Sequence, residues 1–425
     1  MDSWTKGALG GLCSIEIGGT PSRSNPEFWD SAKDANNRWV AIKDLSRRTV
    51  CETAEQITDL GVRHSNVKLQ PKGTVLLSFK LSIGRVAFAG CDLYTNEAIA
   101  GLRSEKLAPE FLFYGLQQWD LLQNVDQAIK GATLNKDKLK KIAFEYPRSP
   151  VEQAKIAEVL SLLDRAIEQT EALIAKQQRI KTGLMHDLLT KGIDEHGSIR
   201  SEATHAFKDS PLGRIPVEWN AVPLAEAADL RVGYAFKSSW FSEDGVRLLR
   251  GENVGTGVLD WKDTACLPLE IAKDFEDYHL VSGDLVIGMD RTFTKQGFKV
   301  SVVSESDLPC LLVQRVGCFI PIEVPKQFMR LLILSPRYQR ELVLQQKGMD
   351  IPHLSKNEIL APLVPFPKDE REMAEIAKRV DSMEFFVKKC LGSLKKFRAL
   401  KRGLMNDLLT AERRVTTLLA DAATK

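Results

Sequence analysis

Basic side chains that could hydrogen-bond to nucleic acid recur at comparable places in the two halves of this 425-residue chain. Lys43, Arg47 and Arg48 follow a β-like run in the first half, and Arg250 and Asn253 follow a related run in the second. Arginine can bond guanine O6 and N7 together, and asparagine can do the same for adenine N6 and N7. A solvated loop of charges explains each residue equally well, so both interpretations stay open.

A second pair of basic side chains flanks a short turn in each half. Lys80 and Arg85 flank a turn that contains Gly84, and Arg291 and Lys295 flank a comparable turn in the second half. Glycine lets the backbone come close to DNA, and it equally allows an ordinary hairpin. These four cations are candidate nucleic-acid contacts, with solvated hairpins as the alternative.

Two further lysines, Lys130 and Lys347, each precede a glycine at related places. Phosphate binding and a solvated charged surface explain them equally well. The overall charge is no guide, because 59 lysines and arginines against 56 aspartates and glutamates leave a net charge of only +3. Binding of nucleic acid would therefore depend on local patches, in which phosphate contacts position the protein and base contacts specify the sequence.

No motif in the chain predicts catalysis. The phosphate-binding loop GxxxxGK[ST] and the hydrolase motifs HExxH and GxSxG do not occur. An Asn/Asp-Pro-Pro-aromatic segment, which an adenine methyltransferase needs to hold a flipped base, does not occur either. Seven cysteines and six histidines are dispersed, which predicts reduced thiols rather than disulfides or a zinc site. We therefore expect no catalytic residue and no metal ion.

An internal repeat organises the chain. The segment Lys181–Thr190 (KTGLMHDLLT) recurs as Lys401–Thr410 (KRGLMNDLLT), with eight of ten residues identical at an offset of 220. Between such anchors the halves diverge, although the runs that begin at Gly73 and Gly283 resemble each other. The chain is therefore predicted to be one unit used twice.

Each predicted unit consists of a globule followed by a long helix. The globules mix short β-like runs with glycine and proline, which is typical of an α/β (α+β) fold. Capping-box patterns at Ser149–Glu152 and Asp369–Glu372 predict where the two helices begin. The predicted order is globule 1 (1–148), long helix 1 (149–192), a polar connector (193–216), globule 2 (217–367), long helix 2 (368–412) and a tail (413–425).

Along both predicted helices, apolar residues recur at alternating steps of four and three residues, which is the pattern of a coiled-coil seam. A long helix with one apolar stripe needs a partner, and the nearest candidate is the other helix. Two tandem copies joined by a polar connector favour antiparallel pairing about a pseudo-twofold axis. Parallel pairing remains the alternative.

The repeated helix ends are candidates for either helix packing or the docking of a partner protein, and we favour packing. A glycine inside a helix costs about 1 kcal/mol relative to alanine, so its recurrence at the same place suggests the close approach of another segment. The residues concerned are Gly183, Leu184, Met185 and Leu188 in the first helix and Gly403, Leu404, Met405 and Leu408 in the second.

The repeat, the paired GLMxDLLT helix ends and the connector His196–Trp219 resemble the specificity subunit of type I restriction–modification enzymes over essentially the whole chain. The runs Trp39–Leu45, Leu248–Val254 and Gly288–Asp290 are similar to this family as well. The resemblance implies that each globule is a target-recognition domain that reads one half of a bipartite, asymmetric site in double-stranded DNA. It also implies that the helical rod sets the spacer between the half-sites.

The resemblance further implies two methyltransferase subunits and translocating restriction subunits as partners. S-adenosylmethionine, ATP and Mg²⁺ would be bound by those partners, with no cofactor on this chain. No apolar run approaches the roughly 18 residues of a membrane span, so we expect a cytoplasmic protein without a membrane partner. Two other functions stay open: a coiled-coil scaffold whose globules bind proteins, and a methyltransferase with a degenerate cofactor site.

Overall fold

The computed structural model describes residues 4–118, 126–128, 131–295, 297–345 and 353–415. It divides into two compact units. Unit 1 comprises Met1–Ala172 and Leu391–Lys425, and unit 2 comprises Leu173–Cys390. Each unit therefore contains one globule, the first part of the long helix that follows this globule, and the last part of the other long helix.

The strands of the first half are β1 (Trp4–Ala8), β2 (Ser14–Ile17), β3 (Asn37–Val40), β4 (Thr49–Val50), β5 (Glu55–Ile57), β6 (Leu69–Gln70), β7 (Val75–Ser78), β8 (Val86–Ala89), β9 (Leu93–Thr95), β10 (Ile99–Arg103), β11 (Asp126–Ala128), β12 (Gly131–Thr133) and β13 (Ala143–Pro147). Those of the second half are β14 (Phe207–Ser210), β15 (Gly213–Pro216), β16 (Asn220–Pro223), β17 (Ala228–Val232), β18 (Val246–Leu249), β19 (Cys266–Leu267), β20 (Leu285–Gly288), β21 (Phe293–Thr294), β22 (Gly297–Phe298), β23 (Val300–Val302), β24 (Cys310–Leu312), β25 (Val316–Pro321) and β26 (Leu363–Phe366).

The α-helices are α1 (Leu9–Leu12), α2 (Asp59–Arg63), α3 (Pro109–Gln118), α4 (Lys136–Lys141), α5 (Pro150–Thr190), α6 (Leu269–Ala272), α7 (Lys326–Leu334), α8 (Pro336–Gln345), α9 (Lys356–Leu360) and α10 (Glu370–Leu409). The two long helices are α5 and α10. None of the helices in the described ranges is long and apolar enough to cross a membrane.

The globule of unit 1 is built on two sheets. One has the strand order β2-β10-β7-β8-β4, and the other has the order β5-β3-β9-β6. All four residues of β7 are buried, as expected for a strand that is covered on both faces. Strand β1 pairs antiparallel with β13, so the globule's first strand lies beside its last, directly before α5.

The globule of unit 2 uses a similar arrangement. Its sheets have the orders β17-β25-β20-β23 and β19-β18-β24, and β16 pairs with β26 directly before α10. The pairing of β18 with β24 is parallel, like that of β3 with β9 in unit 1. The mixed α/β class predicted from the sequence is confirmed.

Each globule packs its core onto segments of both long helices. In unit 1, Ile156 and Leu160 of α5 and Met405 and Leu408 of α10 belong to the same hydrophobic core. In unit 2, Met185 and Leu188 of α5 and Ile376 and Val380 of α10 belong to one hydrophobic core. The apolar stripes of the helices are therefore buried mainly where a globule covers them.

A buried carboxylate lies at the start of α5. Glu152 is only 2% exposed and accepts hydrogen bonds from Trp4 Nε1 (3.4 Å) and from Arg414 Nε (2.7 Å). The hydroxyl of Ser149 accepts the Glu152 backbone N–H at 3.4 Å, as in a capping box. In a full capping box the Glu152 side chain would also accept the Ser149 backbone N–H. Here it binds Trp4 and Arg414 instead.

The start of α10 has the same arrangement. Glu372 is 8% exposed and accepts hydrogen bonds from Trp219 Nε1 (3.1 Å), from the guanidinium of Arg200 and from the Ile193 backbone N–H (2.9 Å). Arg200 follows α5, and Arg414 follows α10. Each buried glutamate is therefore neutralised by an arginine from beyond the end of the other long helix.

Ion pairs also join α5 to α10 within each unit. They are Asp164–Lys401 (2.6 Å) and Glu171–Arg398 (2.5 Å) in unit 1, and Lys181–Glu384 (2.5 Å) in unit 2. In unit 1, the later residue of α5, Glu171, pairs with the earlier residue of α10, Arg398. Asp164 and Glu384 are 220 residues apart, and so are Lys181 and Lys401.

Candidate nucleic-acid interface

The loops that follow β3 and β18 are closed by the same hydrogen bond. Asp44 accepts the backbone N–H of Ala41 at 2.9 Å, and Asn253 accepts that of Arg250 at 3.0 Å. Asn253 is 1% exposed, and its Nδ2 also donates to the Asp260 carbonyl at 2.9 Å. The prediction of Asn253 as a base contact is therefore wrong in this structure, because its amide is buried and holds the loop.

The sequence contains the signal for this correction. Aligning Trp39 with Leu248 places Asp44 on Asn253, and both residues have an oxygen that can accept a backbone N–H. Short polar side chains in turns commonly hydrogen-bond to the nearby backbone in this way. Arg250 lies in this loop and remains half-exposed, and its guanidinium pairs with Glu252 at 2.6 Å.

The three cations predicted after β3 have different surroundings. Lys43 and Arg47 are exposed, and Lys43 lies 3.8 Å from Glu55. Arg48 donates to Tyr114 Oη (2.5 Å) and to Asp164 (2.9 Å) and lies over an aromatic ring. Arg48 is therefore a structural residue between the globule and α5, which corrects its assignment as a DNA contact.

The turn after β7 keeps both of its predicted cations at the surface. Arg85 is exposed, and its Nη1 donates to the Ile42 carbonyl at 3.4 Å, so this turn adjoins the loop that carries Lys43. Lys80 is half-exposed near the Phe79 ring. The two candidate loops of globule 1 therefore form one surface.

In the turn after β20, the residue that corresponds to Arg85 is different from the predicted Arg291 or Lys295. The Ser78 N–H donates to the Arg85 carbonyl (2.9 Å), and the Gly288 N–H donates to the Lys299 carbonyl (3.0 Å). Lys299 is therefore the counterpart of Arg85. Sequence reasoning missed Lys299 because four more residues separate it from the strand.

Arg291 and Lys295 are both exposed, so they remain available as candidate contacts. Burial lowers the pKa of Lys299, whose Nζ donates to the Asp290 carbonyl at 3.3 Å. A partly buried ammonium group is costly unless an anion approaches it. The same turn therefore carries a third cation that an anionic ligand would stabilise.

A small polar cluster lies beside this turn and was not predicted. Nδ1 of His353 lies 2.7 Å from Asp290 Oδ1 and 3.0 Å from Arg315 Nη1. Arg315 itself is 3.5 Å from Asp290, and its side chain is 54% exposed. Aspartate, histidine and arginine come from three separate segments, so no local pattern in the sequence could have indicated the cluster.

The cations Arg250, Arg291, Lys295, Lys299 and Arg315 give globule 2 several donors along connected loops. Carboxylates of Glu252 and Asp290 bind two of them. Phosphate groups of a nucleic acid could replace these surface carboxylates as acceptors, and the arginines have donors to spare for base edges. The predicted contacts Lys130 and Lys347 lie outside the described residues.

The repeated helix ends belong to the cores. Met185 and Leu188 are buried in unit 2, Met405 and Leu408 in unit 1, and Leu184 and Leu404 pack partly buried against the same cores. The two helix glycines do not fit the expected close approach. A Cβ atom added at Gly183 or Gly403 would meet nothing within 4 Å. Packing thus accounts for the leucines and methionines, whereas the glycines face open space.

No group of three or more histidine, cysteine, aspartate or glutamate side chains that could hold a metal ion occurs in the described part of the chain.

Comparison with known proteins agrees with this organisation. Residues 1–177 match the family model described as type I restriction modification DNA specificity domain. The chain is similar to the type I restriction enzyme MjaVIII specificity subunit of Methanocaldococcus jannaschii, with 33% identity over 280 residues, which are 65% of this chain and 63% of that protein. It is also similar to the EcoAI specificity subunit of Escherichia coli, with 34% identity over 182 residues, which are 41% of this chain and 31% of that protein.

The chain thus spans under two thirds of the length of these curated relatives. Among solved structures, the S subunit of a type I restriction–modification system from M. genitalium has the same fold, with a TM-score of 0.58, 16% identity and coverage of 95% of this chain and 96% of that one. A chain solved in a study of complex assembly and conformational transition of the type I R-M system gives a TM-score of 0.55 at 15% identity, covering 96% of this chain and 98% of that one. The sequence relatives and the fold together lead to one conclusion: residues 1–177 match the type I restriction modification DNA specificity domain, and the chain is similar in sequence and fold to type I specificity subunits.

Proposed function

We propose that this chain is the non-catalytic DNA-recognition subunit of a type I restriction–modification complex, and that each globule reads one half of a bipartite, asymmetric site. The observation that carries the proposal is the pair of matching loop surfaces. In both globules the loop after β3 or β18 is closed by a side-chain oxygen that accepts a backbone N–H, and the turn after β7 or β20 is closed by a corresponding backbone hydrogen bond. Their exposed side chains differ, as two readers of different sequences require.

The two long helices would pair as an antiparallel coiled coil and hold the half-site readers at a set spacing. The descending order of ion-pair partners, from Asp164–Lys401 to Glu171–Arg398, supports antiparallel pairing. The repetition of the carboxylate–lysine and glutamate–tryptophan contacts at related positions supports a pseudo-twofold repeat. We propose the same domain order that the sequence predicts, which begins with globule 1 (1–148) and ends with the tail (413–425).

The partners would be two methyltransferase subunits and translocating restriction subunits. The catalytic chemistry, with S-adenosylmethionine, ATP and Mg²⁺, would reside on those partners. The absence of a catalytic motif from the sequence favours this division of labour over a methyltransferase with a degenerate cofactor site. A protein scaffold would not need two loop surfaces that share these hydrogen bonds and carry exposed cations.

A domain exchange tests the proposal. Residues 1–148 are replaced with the first globule of another family member, and the methylated sequences are mapped by methylome sequencing in a host that supplies the methyltransferase. We expect one half of the recognised site to change while the other half stays the same. If both halves change, or if no DNA motif depends on this chain, the proposed function is wrong. A salt-sensitive gel shift on genomic fragments separates DNA recognition from the scaffold function.

A further inference from the structure

The tight turn between β24 and β25 presents two polar side chains at its tip. The Val313 N–H donates to the Leu249 carbonyl (3.2 Å), and the Val316 N–H donates to the Val313 carbonyl (3.1 Å), so the turn is bonded at both ends. Between them, Gln314 and Arg315 are exposed, whereas both valines are buried. The backbone of the turn is therefore held by the sheet while its two tip residues face solvent.

Globule 1 has a turn between β9 and β10 that is closed by corresponding hydrogen bonds. The Asn96 N–H donates to the Val40 carbonyl (3.0 Å), and the Ile99 N–H donates to the Asn96 carbonyl (3.2 Å). The tip residues at this turn are Glu97 and Ala98 in place of glutamine and arginine. The closing hydrogen bonds are shared, but Ala98 is buried and does not have the positive φ of Arg315, and the side chains at the tip differ completely.

Arg315 adopts a backbone conformation that arginine does not favour. Its φ is +68°, in the left-handed region, where the third position of a tight turn usually holds glycine. Strain of this kind persists where the surroundings enforce it, and it concentrates at functional sites. An arginine at this position therefore suggests that its side chain is used.

The guanidinium of Arg315 is held in a defined orientation, but its contacts in the cluster involve only Nη1. Nη1 lies 3.0 Å from His353 Nδ1 and 3.5 Å from Asp290 Oδ1, and the side chain is 54% exposed. The Met289 N–H donates to the Arg315 carbonyl at 2.8 Å, which ties the residue to the neighbouring strand. Donors that are not engaged by the cluster remain free to bond a ligand in a defined direction.

Cations surround this turn. Asp290 precedes the exposed Arg291, and the Lys299 ammonium lies 3.3 Å from the Asp290 carbonyl. Arg250 lies in the loop whose Gly251 faces the Arg315 carbonyl oxygen. Cations around a rigid tip can bind phosphates, and this would leave the tip to face the base edges.

We propose that Gln314 and Arg315 are specificity-determining residues that read base edges in the half-site of globule 2. Arginine would bond guanine O6 and N7 together, and glutamine would bond an adenine in the same way. The corresponding tip of globule 1 carries Glu97, which can accept from cytosine N4, so the two turns read different bases. This assignment rests on the proposed function, and it names the residues that determine the base preference of globule 2.

The test is selection of bound duplexes from a random pool by the full-length chain and its variants, followed by sequencing. We expect Arg315→Ala to relax preference at one position of the half-site of globule 2 by roughly 5- to 150-fold and to leave the other half-site unchanged. Arg214→Ala, which removes an exposed arginine from the β14–β15 hairpin, is the matched control and should select the wild-type sequence.

A second variant separates reading from folding. Arg315→Gly removes the side chain and relieves the positive φ, because glycine adopts this conformation without strain. We expect it to lose the same base preference while its thermal midpoint stays at or above that of the wild type. Unchanged preference, or equal weakening on all sequences, would overturn the assignment. Failure of the wild-type chain to enrich any sequence would instead contradict the proposed function.

Discussion

The helix glycines at positions 183 and 403 illustrate how one residue can be understood only with its surroundings known. Both are exposed and face open space, so an added methyl group would touch nothing. We expect Gly183→Ala and Gly403→Ala each to raise the free energy of unfolding by about 1 kcal/mol, because alanine lowers the entropy cost of the helix. Urea denaturation of the full chain measures this.

Gly192 is the matched control for these substitutions. Its φ is +64°, and an added Cβ would lie 2.4 Å from the Trp219 ring and within 2.5 Å of Arg200 Nη1. Gly192→Ala should therefore destabilise the chain. If Gly183→Ala or Gly403→Ala also destabilised it, a segment of the chain would have to approach these glycines, and the open surroundings described for them would be wrong.

Glu384 should make stability depend on pH. Burial raises its pKa, but the hydrogen bond from Lys181 and the charge of Arg330 lower it further, so the pKa lies below its ordinary value of 4.5. A carboxylate with a lowered folded pKa stabilises the protein above its unfolded pKa, and this contribution disappears as the pH falls through the folded pKa.

The measurement is the free energy of unfolding of Glu384→Gln relative to wild type between pH 7 and pH 3. We expect the variant to be less stable at pH 7, and we expect the difference to shrink towards pH 3. Glu375→Gln, which changes a more exposed carboxylate of the same helix, should show a small difference throughout. A difference for Glu384→Gln that stayed constant with pH would contradict the role of the ionised carboxylate.

The start of each long helix depends on a residue from beyond the end of the other helix. Arg414→Ala removes the cation that binds the buried Glu152, leaving its charge with Trp4 as a donor. We expect a loss of stability on the order of 2 kcal/mol, since a buried charge without its partner is costly. Thermal unfolding of the full chain, followed by circular dichroism, is the measurement.

Arg413→Ala is the control for this element, because Arg413 is 79% exposed and lies 3.5 Å from a surface aspartate. Exposed ion pairs contribute about 0–1 kcal/mol, so its loss should be small. Equal effects of the two substitutions would mean that the contact between the tail and the start of α5 is not what stabilises unit 1.

The proposed organisation of the whole chain as two similar halves predicts that one half can pair with a copy of itself. In a dimer of the half that begins near Ser198, Lys401 of one copy would face Glu384 of the other, because Glu384 is the counterpart of Asp164. The ion pair between the helices is therefore conserved in the dimer. We expect this half to sediment as a dimer, and a monomer would refute self-pairing.

Charge reversal provides the control for that experiment. Lys401→Glu in the same half places like charges opposite each other, so it should shift the sedimentation towards the monomer. The double variant with Glu384→Lys should restore the dimer, because the attraction is re-established with opposite signs. A dimer that is insensitive to both changes would be held by some other surface.

Several features follow from the sequence alone because their causes are local or repetitive. Apolar residues at steps of three and four, together with the absence of proline, predict two long helices, and the structure has α5 and α10 at these places. Short apolar runs with glycine and proline predict the mixed globules. The repeat of the helix ends, with eight of ten residues identical at an offset of 220, together with the connector His196–Trp219 indicates the resemblance to specificity subunits.

The functions of individual polar residues were decided by tertiary structure. Arg48 and Asn253 look like surface contacts in the sequence, yet Asp164 and a buried loop engage them. Lys181 and Lys401 interrupt the apolar seam, and the structure gives each a carboxylate on the other helix.

Arg315, by contrast, follows a buried strand without any motif, and only the fold brings Asp290 and His353 to it. Helix and strand patterns depend on neighbours a few residues away, whereas the exposure and the partners of a charged side chain depend on segments far along the chain. For this reason the sequence by itself determined the helices and strands of this protein and its resemblance to specificity subunits, and only the folded structure decided which of its cations remain free to bind.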